Sequence, residues 1–426
     1  MNRRIVIATF GSLGDLHPYI AIGRRLAEAG DRPLIASFDD YRDAVLANGI
    51  EFATIRPSPE LFGDRAALMK RLFDPRQGPE FMVRELFMPH IRDSYADLDA
   101  AAEGADLLVT HPITFAAPLV AEKRGLPWAS SVLAPMSMFS AIDPPLIGPA
   151  PWLRKLRTLG IGPYKAVFAL ARMLASHWEK PLARLRDDLG LPPASHPAQF
   201  EGQYSPHLNL GLFPQWLAEP QADWPRNTVL CGFPRYDGAP ITPELQSRLD
   251  AFCDAGSAPI VFGLGSSAVL VAGDFWKHAI EATQQLGRRA ILLTGIPPGS
   301  LGPLPSTIAE FEYLPYSAVF PRAAAIVHQA GIGTLAQAFA AGRPQLITPV
   351  AFDQPDNAER AVRLGVARSI PFQRVTAAAL APELDALLSG PAYEAAASRI
   401  GGTLSGEDGA IDARDAMHAL LERLAH

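Results

Sequence analysis

Short apolar runs that end in glycine-rich turns recur along the chain, and each leads into a segment with helical spacing. The first is Ile5–Phe10, followed by Gly11-Ser12-Leu13-Gly14. A brief apolar run bounded by a turn predicts a strand buried on both faces. A helix is expected to start near His17-Pro18, because proline is tolerated in a first turn, and to stop at Gly30. Tyr19, Ile22 and Leu26 fit its inner face. Leu34–Phe38 predicts a second strand, Asp39 and Asp40 can cap a helix ending near Asn48-Gly49, and Ile50–Ile55 predicts a third strand. Leu107–Thr110, a helix over Phe115–Lys123, and Trp128–Leu133 continue the alternation. Strand–helix order of this kind predicts a parallel sheet covered by helices.

The region from Leu146 to Ala198 reads as more helical. A Pro- and Gly-rich stretch, Trp224–Ile241, then interrupts the pattern before the same rhythm restarts. Ile260-Val261-Phe262 runs into Gly263-Leu264-Gly265-Ser266-Ser267, with a helix from about Asp274. Ala290–Thr294, Ala325–His328 and Gln345–Pro349 predict further strands. The expected organisation is an α/β protein of two facing, doubly wound domains. Residues 1–222 form the first, 223–241 a linker, 242–405 the second, and 406–426 a helix packing back on the first. Ligands then belong at the carboxyl ends of the strands, in the cleft between the domains.

Composition narrows the function. The chain has 426 residues, 48% of them hydrophobic and 19% charged, with a formal net charge of −6. No basic footprint marks a nucleic-acid partner or an anionic membrane. A nucleotide ligand stays open, because backbone N–H groups bind phosphate without net charge. Cys231 and Cys253 form neither a disulfide framework nor a metal-ligand spacing, so a reducing cytoplasm is expected. The first apolar run ends too soon for a secretory leader, and no run is long enough to span a bilayer. A peripheral membrane contact stays open.

Candidate chemistry concentrates between Phe320 and Leu364. After the strand Ala325–His328 comes Gln329-Ala330-Gly331-Ile332-Gly333-Thr334, then a helix over Leu335–Ala341. Glycines let backbone N–H groups approach a ligand, and a helix start favours negative charge. The segment reads as a diphosphate cradle or as a tight structural turn. Asp353-Gln354 follows the next strand; an acid beside an amide suits neighbouring sugar hydroxyls, or Asp353 opens a turn. Asp356 and Glu359 have the spacing of a capping box.

Taken together, His328-x-x-Gly331-x-Gly333-Thr334, Ala341-Gly342-x-Pro344-Gln345 and Asp353-Gln354-x-x-Asn357-Ala358 resemble the donor signature of the UDP-glycosyltransferase superfamily (GT1). Gly11-Ser12-x-Gly14-Asp15-x-x-Pro18 is similar to bacterial and fungal members that glycosylate glycopeptides, sterols and lipids. Asp223-Trp224-Pro225 and Gly232-Phe233-Pro234 are most like the bacterial rhamnosyltransferase type. The resemblance spans the whole chain. It implies the GT-B fold and inverting, metal-independent transfer from a UDP- or dTDP-sugar co-substrate, without a further cofactor. His328 would contact a donor phosphate; Gly331, Gly333 and Thr334 would hold the diphosphate; Ser266 would reach it from a neighbouring loop. Asp353 and Gln354 would hold sugar hydroxyls, and Tyr313 would stack on the base where many relatives have Trp.

The resemblance also implies a base near Asp15. Asp15 is read as that base or as a helix cap, and His17 as its helper or as a half-buried helix residue. Relatives that use a histidine base orient it with an aspartate near the position of His111, so that dyad is not expected here. His111, Phe81, Phe87, Met136 and Met138 are placed in an acceptor pocket for a small apolar molecule, with core packing as the alternative. Two rivals remain at this point: a nucleotide-sugar epimerase of the same architecture, and a catalytically silent partner protein.

Overall fold

The computed structural model describes residues 2–426. The chain divides into two compact units, residues 1–236 with 408–426, and residues 237–407. The first unit is built on a seven-stranded sheet with strands β1 (Arg4–Ala8), β2 (Arg32–Ser37), β3 (Glu51–Thr54), β4 (Leu107–Thr110), β5 (Trp128–Val132), β6 (Leu208–Gly211) and β7 (Thr228–Leu230). Their order is β3-β2-β1-β4-β5-β6-β7, and every pairing is parallel. The second unit has β8 (Ile260–Gly263), β9 (Ala290–Leu293), β10 (Ile308–Phe311), β11 (Ala325–His328), β12 (Gln345–Ile347) and β13 (Ala367–Ser369). Their order is β10-β9-β8-β11-β12-β13, again all parallel.

Both sheets are wound outward from their first strand, so the winding reverses between β1 and β4 and between β8 and β11. Helices cover the sheets, which is why Ile5, Val6, Ile7 and Ala8 are all 0% exposed. One core joins Val6, Leu34 and Leu108 to helix residues Leu98 and Val120. The other joins Val261, Ile291, Phe311 and Ile326 to Leu249 and Val319.

Three local expectations change. The first helix spans Leu13–Glu28, four residues ahead of the expected start, because Ser12 and Asp15 form a capping box that outweighs the later Pro18 signal. Pro18 is tolerated inside that helix. Thr228–Leu230, inside the expected linker, is an edge strand paired with β6. The strands Ile308–Phe311 and Ala367–Ser369 were hidden by their shortness and by Glu310 and Arg368.

The chain returns to the first unit through the helix Gly409–Ala425, which packs against Leu13–Glu28. Asp408 caps it, accepting from the Ala410 and Ile411 N–H groups, and accepts from Arg25 Nη2 at 2.6 Å. Asp408→Ala removes both. The amides of this helix should then exchange with deuterium about tenfold faster, the equivalent of one lost cap, while the second unit's amides keep their rates.

Candidate functional site

The first turn of the helix Leu13–Glu28, just after β1, carries Asp15. Its Oδ2 accepts from the Ser12 N–H at 2.7 Å and from the Ser12 hydroxyl at 3.1 Å. In return the Ser12 hydroxyl accepts from the Gly14 N–H. Gly11 has φ +121°, and a Cβ there would lie 2.3 Å from Asp15 Oδ2, so only glycine leaves room for the carboxylate. Tyr41 donates to the Gly11 carbonyl at 2.8 Å, and Thr9 donates to the Asp15 carbonyl at 3.1 Å. The capping reading of Asp15 is therefore what the geometry shows at this helix start.

The carboxylate has a second neighbour. His111, directly after β4, places Nε2 3.4 Å from Asp15 Oδ1. Its Nδ1 accepts from the Ile113 N–H, which leaves the proton of the neutral ring on Nε2, facing Asp15. An aspartate–histidine pair thus exists, with the two residue types exchanged relative to the dyad judged absent from the sequence. The His111 side chain is 6% exposed and that of Asp15 is 35% exposed. His17 is half-buried on the same helix, edge-on to Tyr236 with ring centroids 5.0 Å apart. Burial pushes its pKa down to about 4.

The expected acceptor wall is mostly core. Phe81, Phe87 and Met138 are 6%, 3% and 2% exposed. Phe87 packs on Phe10 at 5.2 Å and on Phe115 at 5.9 Å, and Phe81 lies under the Arg71 guanidinium. Their apolar spacing served the sheet's packing. His111 is buried as well, and Met136 alone of the five is half-buried.

In the second unit, the turn after β11 opens the helix Ile332–Ala340 with Gly331 as its N-cap. That helix start has no side-chain cap and no acidic residue in its first turn. Its first N–H groups lack intrahelical partners by geometry, so it presents unneutralised donors. The Thr334 side chain is hydrogen-bonded with the hydroxyl of the half-buried Tyr316, whose ring stacks on that of Phe320 at 4.3 Å. Ser266 is exposed in the short helix Gly265–Ala268 after β8, across the winding reversal. Tyr313 is 48% exposed, and its hydroxyl donates to the Asp237 carbonyl at 2.9 Å.

His328 differs from its expected role. It is 0% exposed; Nδ1 accepts from the Ala330 N–H at 3.1 Å, and Nε2 lies 2.9 Å from Gln345 Oε1. Both ring nitrogens are used inside the protein, so the ring shapes the turn instead of reaching a phosphate. Gln354 is also partly spent: its Oε1 accepts from the Val350 and Ala351 N–H groups. Asp353 is half-buried, and its Oδ2 accepts from Asn357 Nδ2 at 2.7 Å. The same Nδ2 donates to the Ala330 carbonyl, which fastens the acid loop to the glycine turn. Asp356 and Glu359 do not form a capping box. The helix Gln354–Arg363 starts earlier, and Asp356 makes a buried ion pair with Arg360 at 2.8 Å.

Sequence reasoning passed over Gln329. Its buried carboxamide sits between Gly265 and Gly331; a Cβ on either would come within 2.3 Å or 2.9 Å of its Nε2. Gly265 has φ +68°, so a side chain there would be strained as well. Among the described residues, Gln329 Oε1 has no hydrogen-bond partner. A polar residue inside a glycine turn was the available signal. Among the described residues, no three His, Cys, Asp or Glu side chains are placed to hold a metal ion.

Known proteins resemble this chain over its length. Residues 293–407 match the family described as erythromycin biosynthesis protein CIII-like, C-terminal domain. The O-mycaminosyltylonolide 6-deoxyallosyltransferase of Streptomyces fradiae is 29% identical over 428 residues, 96% of each chain. Glycosyltransferase GtfE of Amycolatopsis orientalis is 30% identical over 428 residues, 98% of this chain and 97% of its own. The crystal structure of the glycotransferase of kitacinnamycin has a TM-score of 0.71 at 23% identity, covering 99% of this chain and 100% of that one, and shares the GT-B fold.

The buried His328 sets a pH dependence. Burial lowers its pKa to about 4 against an ordinary 6.5. The unfolded chain therefore binds this proton first as pH falls, and the folded state loses stability between about 6.5 and 4. The full loss is about 3 kcal/mol for a shift of this size. His328→Gln should remove that slope: urea titrations of wild type and variant at pH 7.5 and 4.5 should show wild type losing more stability on acidification by roughly that amount.

Proposed function

The chain belongs to the UDP-glycosyltransferase superfamily (GT1) and is a glycosyltransferase, and from that premise we propose that it moves a glucose- or rhamnose-type sugar from a UDP- or dTDP-linked donor, with inversion, to a hydroxyl or carboxyl of a small apolar acceptor. One observation carries the assignment of the two substrates. The helix start at Gly331 is open, without cap or acid, whereas the helix start at Ser12 is already neutralised by Asp15. An anionic diphosphate is favoured at the first and repelled at the second.

On this reading the N–H groups after Gly331 and Gly333 receive the diphosphate. Thr334, held beside the Tyr316 hydroxyl at the helix start, adds a hydroxyl to the N–H groups around the diphosphate. Ser266 adds a donor from the turn after β8, Tyr313 offers an exposed ring to the base, and Asp353 with the amide nitrogen of Gln354 serves the sugar. The departing diphosphate is stabilised where its charge grows.

Asp15 takes the acceptor proton. It is the exposed member of its pair, so an acceptor reaches the carboxylate and not the buried imidazole. His111 then positions Asp15 through Oδ1. His17, with its pKa near 4, is a poor proton acceptor at neutral pH and is left a packing role. The relative named for O-mycaminosyltylonolide supports a small natural-product acceptor. The epimerase and silent-partner readings gain nothing from relatives named as transferases. Both cysteines are buried thiols, which fits a reducing cytoplasm.

A panel of UDP- and dTDP-sugars against a mixed acceptor library, read by mass spectrometry, should yield a glycosylated product. With that pair, Asp15→Asn keeps the Ser12 contacts but should lower turnover by about 10²–10⁴-fold. Undiminished turnover would remove Asp15 from the mechanism.

A further inference from the structure

Between Asp143 and Glu179 the chain contains Arg154, Lys155, Arg157, Lys165 and Arg172 and not one acidic residue, although its net charge is −6. Neither half-site uses this stretch. It folds as a 3-10 helix, Pro151–Leu159, followed by the α-helix Gly162–Trp178. The inner faces of both carry Leu153, Leu156, Tyr164 and Phe168, which pack with Phe139 and Ala141.

A surface helix should be polar on its other side. This one is not. Leu170, Met173 and Leu174 are 55%, 56% and 52% exposed, with the exposed Ala166 and Ala169 on the same face. Trp152, Leu159 and Ile161, on the segment that leads into the helix, are 62%, 71% and 46% exposed as well. Six of the chain's exposed large hydrophobic residues thus fall within 23 positions, interleaved with the exposed Lys155, Arg157 and Lys165, of which Arg157 lies 3.9 Å from Asp143. Arg172 is turned inward to Glu201.

We propose that this face docks the protein on an anionic lipid bilayer, with Leu170, Met173, Leu174 and Trp152 at the acyl boundary and Lys155, Arg157 and Lys165 among the headgroups. Large apolar side chains exposed this close together call for a cover. The charge around it chooses which. A second copy of the same face would set cations against cations, whereas acidic headgroups neutralise them. Interfacial helices combine this apolar face, basic rim and tryptophan. The helix lies on the membrane and does not cross it: among the described residues no helix is long and apolar enough to span. The overall charge of −6 pointed away from an anionic surface, but its uneven distribution reverses that locally.

This inference goes beyond the transfer reaction and needs neither donor nor acceptor to test. The full chain is floated with vesicles of phosphatidylcholine, alone or with phosphatidylglycerol. It should rise only with the anionic vesicles, and progressively less as salt increases. Lys155→Glu with Arg157→Glu should weaken partitioning by about tenfold or more. Leu170→Gln with Met173→Gln and Leu174→Gln should abolish it, while circular dichroism shows both variants folded. No flotation, equal flotation on neutral vesicles, or wild-type flotation by the folded variants would overturn the proposal. So would a concentration-dependent dimer that the triple substitution dissolves, which would make a second copy the cover.

Discussion

A parallel sheet that winds outward from its first strand must part its connecting loops at one place, between that strand and the one begun on the other side. Both units obey this constraint, and the candidate chemistry lies at those two partings. Asp15 follows β1 and His111 follows β4; Ser266 follows β8 and the Gly331 turn follows β11. The two partings differ in charge. In the first unit the helix start is filled by the protein's own carboxylate, which sits beside the His111 imidazole. In the second the helix start is left open, and an incoming anion supplies the missing charge.

The surroundings keep that difference in place. Gly11 admits the carboxylate, and Ser12 holds one oxygen, leaving the other toward His111. In the second unit His328 and Asn357 use backbone groups of Ala330 to set the turn, so the loop bearing Asp353 and the loop bearing Gly331 are one hydrogen-bonded piece. Conserving geometry in this way is what lets a static helix end act on charge that appears only during reaction.

Much of this was legible in the chain. The strands Leu107–Thr110 and Ala325–His328 are where their apolar runs place them, because a run buried on both faces has no competing period. The glycine turn and the acid after β12 were visible as spacing. What stayed hidden was side-chain direction. His328 looked like a ligand group and is an internal brace; Phe81 and Phe87 looked like a pocket wall and are core, since apolar composition alone does not distinguish the two. The Asp15–His111 contact joins residues 96 positions apart across adjacent strands, and no local pattern encodes it. The exposed face of Gly162–Trp178 was masked by summing charge over the whole chain.

The central claim is that the open helix start at Gly331 receives a nucleoside diphosphate and the closed one at Asp15 does not. Titration calorimetry with UDP and dTDP tests it directly on wild type, Asp15→Asn and Gly331→Asp. The last change puts an acid at the N-cap of the second helix, so that its start carries a carboxylate as the first does at Asp15. One of the two nucleotides should bind wild type and Asp15→Asn with equal affinity, and Gly331→Asp at least about tenfold more weakly. Binding of neither nucleotide to wild type, or undiminished binding to Gly331→Asp, would contradict the account.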